Sequence, residues 1–214
     1  MEVSNRHIDK LLKKMNIDIE PEIVPVIPEH YAKYSQCYNN VEEKVRRDGG
    51  SIHYGWIIHQ SKILCEAERH AVWELENEDL IDITPNPTGE TEILFVSDNE
   101  YTYDGNDVDN FRMNITNNVV VDDFIQVCEA RTKLYNLAER KNKDAIEMPI
   151  ALANFTIAYT NLKDAYLIFI NDGGSKHSQC LCGSKKQYKN CHGMILKKMI
   201  NDDINAAQNF ISKR

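Results

Sequence analysis

The sequence predicts an α+β protein, in which the helices and an antiparallel sheet occupy different stretches of the chain. Residues 51–96 contain successive runs rich in β-branched and aromatic residues, separated by short polar turns, which is typical of antiparallel strands. Residues 119–170 and 195–211 instead favour helices. A length of 214 residues is enough to bury a core as one domain with an appendage, or as two small domains.

The N-terminal region is predicted to be a helix followed by an extended segment. Ile8, Leu11, Leu12 and Met15 recur at helical spacing among charged residues, which indicates an amphipathic helix. The prolines that follow exclude a second helix and predict an extended strap that lies on another part of the protein. Residues 1–34 are therefore assigned to an N-terminal helix and a proline-rich strap.

A helix and a sheet are predicted to form the core, residues 35–118. Ser35 is the expected N-cap of a helix from Gln36 to Arg47, which Gly49 and Gly50 end. The strands that follow are expected to form a meandering sheet, and residues 97–118 are expected to be a polar loop region. The expected strands are residues 51–60, 67–76, 80–84 and 92–96.

Two helices, residues 119–143 and 148–170, are predicted to form a helical pair over residues 119–172. Asp122 and Asp123 lie in the first turn of the first helix, and Pro149 begins the second. Residues 173–214 contain a cysteine cluster and a last amphipathic helix.

Composition and charge limit the classes of function. A net charge of −8 argues against a protein that coats nucleic acid as a whole. No apolar run approaches the roughly 20 residues that span a bilayer, and the N-terminal segment lacks the apolar centre of a secretory signal. A cytoplasmic location is therefore expected, and the six cysteines are interpreted as thiols, metal ligands or nucleophiles before disulfides.

The C-terminal cysteines have the spacing of a metal site. Cys180, Cys182, Cys191 and His192 form the pattern C-x-C-x8-C-H in a short polar loop. Four such ligands predict a tetrahedral Zn²⁺ without an open position, which is a structural site. Because the loop is too short to bury a core, the metal would supply its folding free energy. The alternative is a coincidental cluster of reduced cysteines.

The stretch CLCGSKKQYKNCHG resembles the SEC-C motif, a small zinc module at the tail of the protein-export motor ATPase and of many other bacterial proteins. The resemblance implies a module that recruits a protein partner, or docks on ribosomal or phospholipid surfaces. Nearby lysines make the segment locally basic, which suits an acidic partner but equally suits a solvated loop. These lysines are Lys185, Lys186, Lys189, Lys197 and Lys198. Nucleic acid is an unlikely partner because the module offers a single aromatic residue, Tyr188, for base stacking.

A second group of residues suggests nucleophilic chemistry. His70 and Asp82 lie near the centres of two neighbouring strands, and an odd-numbered turn would place them on one face of the sheet, unless a bulge intervenes. An aspartate beside a histidine fixes its tautomer and supports its charged form. Cys37 lies in the first turn of a helix, where the thiolate is favoured. These three residues are the candidate nucleophile, base and orienting acid.

Each of these residues also fits a structural role. Cys37 can be a buried thiol, His70 a core histidine and Asp82 a turn cap. Cys65 lacks a helix N-terminus to activate it, and Cys128 belongs to an apolar helix stripe. The other candidates have simpler explanations. His53 and His59 are interpreted as surface histidines, and Trp56 and Trp73 as core residues.

Over residues 35–96 the chain resembles transglutaminase-like enzymes, a branch of the papain-like cysteine enzymes. The resemblance is carried by Ser35-Gln-Cys37, His70-Ala-Val-Trp73 and Asp82-Ile-Thr-Pro85. It implies Cys37 as nucleophile, His70 as general base and acid, and Asp82 as the orienting acid. Trp73 stands one place later than in the family pattern, and Ile83 intervenes before Thr84. The Cys37 backbone N–H is the default oxyanion donor.

The function expected from the sequence is attack by a cysteine on an amide or related acyl group of a protein or peptide. Hydrolysis, deamidation and transfer to an amine all remain open. The competing hypothesis is a non-catalytic adaptor, which its zinc module docks to a protein or ribosomal partner.

Overall fold

The structure is a computed structural model of the chain and describes residues 6–106, 108–142 and 145–213. It divides into two compact units. The first unit runs to Asp104 and includes Asn110–Arg112, and the second comprises Gly105–Asp109 and the chain from Met113 onward. Within the described residues there are five α-helices and mainly antiparallel strands, so the predicted α+β class is confirmed.

The first unit contains one sheet with two helices. Its strands have the order β1-β5-β2-β3-β4, and β6 also pairs with β3. The elements are α1 (Arg6–Lys14), β1 (Glu22–Pro25), α2 (Cys37–Asp48), β2 (Ser51–Gln60), β3 (Leu64–Glu74), β4 (Leu80–Ile81), β5 (Glu92–Ser97) and the first half of β6 (Phe111–Asn114), which is divided between the two units.

The predicted meander holds only for part of the sheet. β2, β3 and β4 are consecutive antiparallel neighbours, but β5 returns to the other side of β2 and is followed there by β1. The four consecutive residues Ile93–Val96 are buried, which requires cover on both faces and suits a central strand. The predicted strap is therefore partly a strand, and residues 97–118, expected to be a loop, contain β6.

A bridge between Val26 and Asp82 joins the two ends of the strand order, so the sheet curls toward closure. The Asp82 N–H donates to the Pro25 carbonyl (2.9 Å), and the Ile27 N–H donates to the Asp82 carbonyl (2.8 Å). These bonds fix the Asp82 backbone on two sides. The apolar cluster enclosed here consists of Val24, Val26, Ile57, Val72, Ile93 and Phe95.

The other face of the sheet is covered by α2, whose Val41 packs against Ala71 and Ile83. Ser35 is not the N-cap, because it adopts φ +58° and the N-cap position belongs to Gln36, without a side-chain cap. The helix begins at Cys37, so this residue lies in the first turn as expected.

The second unit is mainly helical. Its helices α3 and α4 correspond to the predicted pair, but α3 ends earlier than the predicted residue 143, which lies outside the described residues. Its elements are α3 (Val119–Tyr135), β7 (Glu139–Asn142), β8 (Ala145–Glu147), α4 (Ile150–Asn171) and α5 (His192–Ile211). Lys141 pairs with Glu139 at 2.8 Å and with Glu147 across the hairpin at 3.2 Å, a cross-strand contact that favours strands here.

The Asn118 side chain accepts a hydrogen bond from the Val120 N–H (3.2 Å) and so caps α3. None of the helices in the described part of the chain is both long enough and apolar enough to cross a membrane.

Candidate functional site

The four predicted metal ligands converge at the start of α5. The ligand atoms of Cys180, Cys182, Cys191 and His192 all lie within 4.8 Å of one another. The Cys180 Sγ–His192 Nδ1 distance is 3.2 Å, and the Cys182 Sγ–Cys191 Sγ distance is 3.5 Å. Zn–S and Zn–N bonds of about 2.3 and 2.0 Å give tetrahedral edges of roughly 3.5–3.8 Å. The cluster therefore has the size to hold a metal ion.

Short-range hydrogen bonds fold the loop around these ligands. The Cys180 N–H donates to the Lys186 carbonyl (2.8 Å), and the Gly183 N–H donates to the Cys180 carbonyl (3.1 Å). Gly183 has φ +74°, a conformation that residues with a side chain rarely adopt. Hydrogen bonds from Ser184 are the main cause that lowers the pKa of the Cys182 thiol to about 6, which favours the thiolate form that binds metals.

Tyr188 attaches this loop to the helices of the second unit. Its side chain is 1% exposed, and its hydroxyl contacts the Tyr166 hydroxyl (2.8 Å) and donates to Asp123 Oδ2 (2.5 Å). A Cβ at Gly193 would lie 2.7 Å from the Tyr188 ring, which explains a glycine directly after His192. The burial of Tyr188 removes it as a surface for base stacking.

The surface of the metal loop is basic and partly apolar. All five lysines named above are exposed. Met194 and Ile195 lie beside them at the start of α5, with 71% and 44% of their surface exposed.

In the first unit, the structure brings His70 and Asp82 together. The turn between β3 and β4 has an odd number of residues, since Glu74 pairs with Leu80, and both side chains fall on the same face. His70 Nε2 lies 3.1 Å from Asp82 Oδ1, and the two residues are 6% and 2% exposed. This distance is that of an ion pair. Among the described residues, His70 Nε2 has no partner that meets the geometry of a hydrogen bond.

A second set of contacts holds the aspartate in place. Asp82 Oδ1 accepts a hydrogen bond from the Thr84 N–H (2.9 Å), and the Thr84 hydroxyl accepts one from the amide of Asn40 (3.1 Å). Asn40 also bonds the backbone of Lys33 through both ends of its amide. Because Asn40 lies on α2, this network ties the start of that helix to the strand end that carries Asp82.

Cys37, the first residue of α2, interacts with His70 through its charge and a side-chain hydrogen bond. Burial disfavours the charged ring, but the charge of Cys37, hydrogen bonding to Cys37 and the interaction with Asp82 outweigh it. Together they raise the pKa of His70 to about 10. Cys37 is partly exposed, whereas His70 and Asp82 are buried, so the thiol is the member of the group that a reagent can reach.

Four tyrosines beside Cys37 were not predicted from the sequence, and we call them the tyrosine wall: Tyr38, Tyr54, Tyr101 and Tyr103. The rings of Tyr38 and Tyr103 stack with centroids 3.8 Å apart and planes at 7°. Tyr54 contacts Tyr38 at 6.1 Å and the edge of Tyr101 at 5.6 Å. Burial, followed by other charges that include Cys37, raises the pKa values of Tyr38, Tyr54 and Tyr101. The two tyrosines close together in residues 97–118, Tyr101 and Tyr103, were the only sequence signal.

The other residues considered in the sequence analysis are mostly buried or paired with neighbouring side chains. Cys65 is fully buried, and burial raises the pKa of its thiol to about 11. Cys128 is buried in α3. His53 contacts Ser97 (2.8 Å) and is not a surface residue, whereas His59 is half exposed near Glu68. The Trp56 ring stacks on the guanidinium of Arg69 at 3.8 Å.

Comparison of the chain with models of protein families, with curated proteins and with solved structures finds no match. The class that fold and site define is therefore an α+β protein with a C-terminal Cys3His cluster that can hold a metal ion.

Proposed function

We propose that the protein is a cysteine-dependent enzyme that acts on an amide or related acyl group. Cys37 is the nucleophile, His70 the general base and acid, and Asp82 the residue that orients His70. The observation that carries this proposal is the buried His70, which lies 3.1 Å from the carboxylate of Asp82 and also interacts with the partly exposed thiol of Cys37. Buried charge of this kind is costly unless the groups are paired, so the arrangement has a chemical use.

In the proposed reaction the Cys37 thiolate attacks the substrate carbonyl, and a C–S bond forms. The C–N bond breaks as the His70 imidazolium gives its proton to the leaving amine. Water or a second amine then attacks the thioester while His70 accepts its proton. The C–S bond breaks, the product is a carboxylic acid or a new amide, and the Cys37 thiolate and the His70 imidazolium are regenerated.

The start of α2 supplies a donor for the oxyanion. Cys37 is the first residue of the helix, so its backbone N–H has no acceptor within the helix and lies at the positive end of the dipole. A donor in this position stabilises the negative charge that develops on the carbonyl oxygen.

Along the chain, Cys37 lies in a helix, His70 in a strand and Asp82 at the end of the next strand. This order supports the resemblance to transglutaminase-like and papain-like enzymes. Asp82 reaches His70 although Ile83 intervenes before Thr84, because Ile83 packs under α2 and Asp82 faces the other side. The Trp73 side chain donates to the Gly49 carbonyl (2.9 Å), so it fixes the end of α2.

We further propose that the C-terminal cluster binds a structural Zn²⁺ and forms a SEC-C-like recruitment module. Three thiols and an imidazole in a closed set suit Zn²⁺, which prefers tetrahedral S and N ligands. The exposed lysines with Met194 and Ile195 support docking to an acidic protein surface. They also favour the second candidate function, a non-catalytic adaptor whose metal module docks to a protein or ribosomal partner.

The decisive experiment measures the alkylation rate of Cys37 by iodoacetamide against pH, by mass spectrometry on metal-loaded protein. We expect fast labelling at pH values well below the free thiol pKa of about 8.5, and a loss of at least tenfold in His70→Ala. His30→Ala is the matched control, because the His30 side chain is 83% exposed.

A Cys37 that labels slowly, and equally in wild type and His70→Ala, would overturn the enzymatic proposal and favour the adaptor. Cys65 and Cys128, both buried, serve as internal standards for an inert thiol.

A further inference from the structure

Asn40 is a buried polar residue of α2 that connects the helix with two other segments. It lies one helical turn after Cys37 and is 4% exposed. Its Oδ1 accepts a hydrogen bond from the Lys33 N–H (2.9 Å), and its Nδ2 donates to the Lys33 carbonyl (2.8 Å) and to the Thr84 hydroxyl (3.1 Å). A buried amide is costly unless its polar atoms are bonded, and these three hydrogen bonds all go to residues outside the helix.

The two bonds to Lys33 fix the chain where it enters α2. The N-cap residue Gln36 makes no side-chain cap, which is the usual way to stabilise a helix start. The Lys33 carbonyl instead accepts the Gln36 N–H as well (3.3 Å), so residues 33–36 form a turn that Asn40 holds against the first turn of the helix. Cys37 is the next residue along the chain. The position of its thiol therefore depends on this turn.

The bond to Thr84 connects the same helical turn with Asp82. Thr84 is 6% exposed, and its N–H donates to Asp82 Oδ1 (2.9 Å). The same oxygen lies 3.1 Å from His70 Nε2, and His70 in turn interacts with Cys37. The contacts form a closed ring, in which one turn of α2 is joined through Thr84 to Asp82 and His70. Each member of the ring is held from two sides, so the loss of one contact loosens the others.

We propose that Asn40 is a positioning residue for the Cys37 reaction. Through Thr84 it holds the start of α2 at the distance from Asp82 that aligns the Cys37 thiol with His70. This role rests on the proposed function, because it concerns the alignment of the residues that carry out that reaction. One hydrogen bond can shift the population of the aligned arrangement by no more than its own free energy, which corresponds to roughly 2- to 10-fold.

The test measures two properties of the folded protein against pH: the rate of Cys37 alkylation by iodoacetamide, and the titration of His70 by NMR. Thr84→Val removes the hydroxyl but keeps the N–H that bonds Asp82. We expect Cys37 to react roughly 2- to 10-fold more slowly at neutral pH in Asn40→Ala and in Thr84→Val. The pKa of His70 should fall in both variants, because its charged neighbours raise it. Thr84→Ser keeps the hydroxyl and should retain the wild-type rate and titration.

Ile93→Val is the matched control for lowered stability. Ile93 is buried in the same unit, and the change removes one methyl group and no side-chain hydrogen bond. If Asn40 had only a structural role, its variants would resemble Ile93→Val. Urea denaturation would then show lost stability, while the alkylation rate and the His70 titration of the folded protein stayed at wild-type values. That result overturns the positioning role.

A double variant tests whether Asn40 acts through Thr84. Asn40→Ala with Thr84→Val should react no more slowly than Asn40→Ala alone, because both changes break the same bond. Additive effects of the two changes would overturn the coupling.

His70→Ala separates this role from the proposed catalysis, and His70→Gln assigns the NMR signal. If alkylation is indifferent to His70→Ala while Thr84→Val still lowers the pKa of His70, the catalysis fails and the positioning stands. If alkylation depends on His70 but Asn40→Ala and Thr84→Val behave as wild type, the catalysis stands and the positioning fails.

Discussion

The metal cluster and the Cys37 group use the same two reactive side chains, cysteine and histidine, but assemble them differently. Cys180 and His192 are only 12 positions apart, and a short loop with its own hydrogen bonds brings them together. Cys37, His70 and Asp82 come from a helix and from two strand regions, and only the packing of the first unit joins them. The first arrangement is local to one short segment, and the second depends on a core built from distant segments.

Loss of a metal ligand is expected to give the largest difference between the metal cluster and the Cys37 group. Cys191→Ser should reduce bound zinc from about one ion per chain to near zero, because structural zinc contributes apparent binding free energies of about 10–16 kcal/mol. Elemental analysis of the purified protein measures this content. The loop around Tyr188 should unfold, while the reactivity of Cys37 should not change.

Cys128→Ala is the matched control, since Cys128 is a buried thiol of the same unit outside the cluster. Full metal content in Cys191→Ser would show that the cluster is not the metal site.

The next largest effect is expected on the free energy of unfolding when the buried Asp82 is changed. Asp82→Asn removes the charge that faces His70 and should lower the free energy of unfolding by about 3–5 kcal/mol, the usual cost of breaking a buried pair. Urea denaturation measures the loss, and metal content should be unaffected. Asp79→Asn is the control, because Asp79 lies in the exposed turn of the same hairpin. Equal stability of the two variants would contradict the pairing of His70 with Asp82.

The charges of Cys37 and Asp82 beside His70 predict a pH dependence of stability. The pKa of His70 is raised from 6.5 to about 10, so protonation stabilises the folded state. This contribution is complete below pH 6.5 and is lost as the pH rises toward 10. The stability difference between wild type and His70→Gln should therefore shrink over this range, in denaturation curves recorded at several pH values. A difference that grows with pH would show that His70 is neutral in the folded protein.

A smaller effect is expected at the attachment of the metal loop. Tyr188→Phe removes the hydroxyl that bonds Asp123 and Tyr166, and it leaves the Asp123 carboxylate half buried without this donor. We expect a loss of about 1–3 kcal/mol in stability, with bound metal unchanged. Tyr34→Phe, at an exposed position, should have no effect in the same thermal unfolding measurement. Loss of metal in Tyr188→Phe would mean that the cluster also depends on its packing.

The sequence by itself determined the features that short-range physics controls. The metal cluster could be predicted because its ligands and the turns between them lie within one short segment. Residue type predicted that Cys37 lies in the first turn of α2, although not that Gln36 is its N-cap. The alternation of strand side chains predicted the long hairpin of β2 and β3 and the common face of His70 and Asp82.

Only the tertiary structure decided the features that depend on contacts between distant segments. The return of β5 beside β2, the bridge from Val26 to Asp82, the tyrosine wall and the burial of Tyr188 have no local pattern that specifies them. The extent of α3 was overestimated for a more local reason, because the pairing of the adjacent strands β7 and β8 outweighs a weak helix preference after Tyr135. Periodicity specifies which face of an element is apolar, but packing of the whole chain decides which element covers that face.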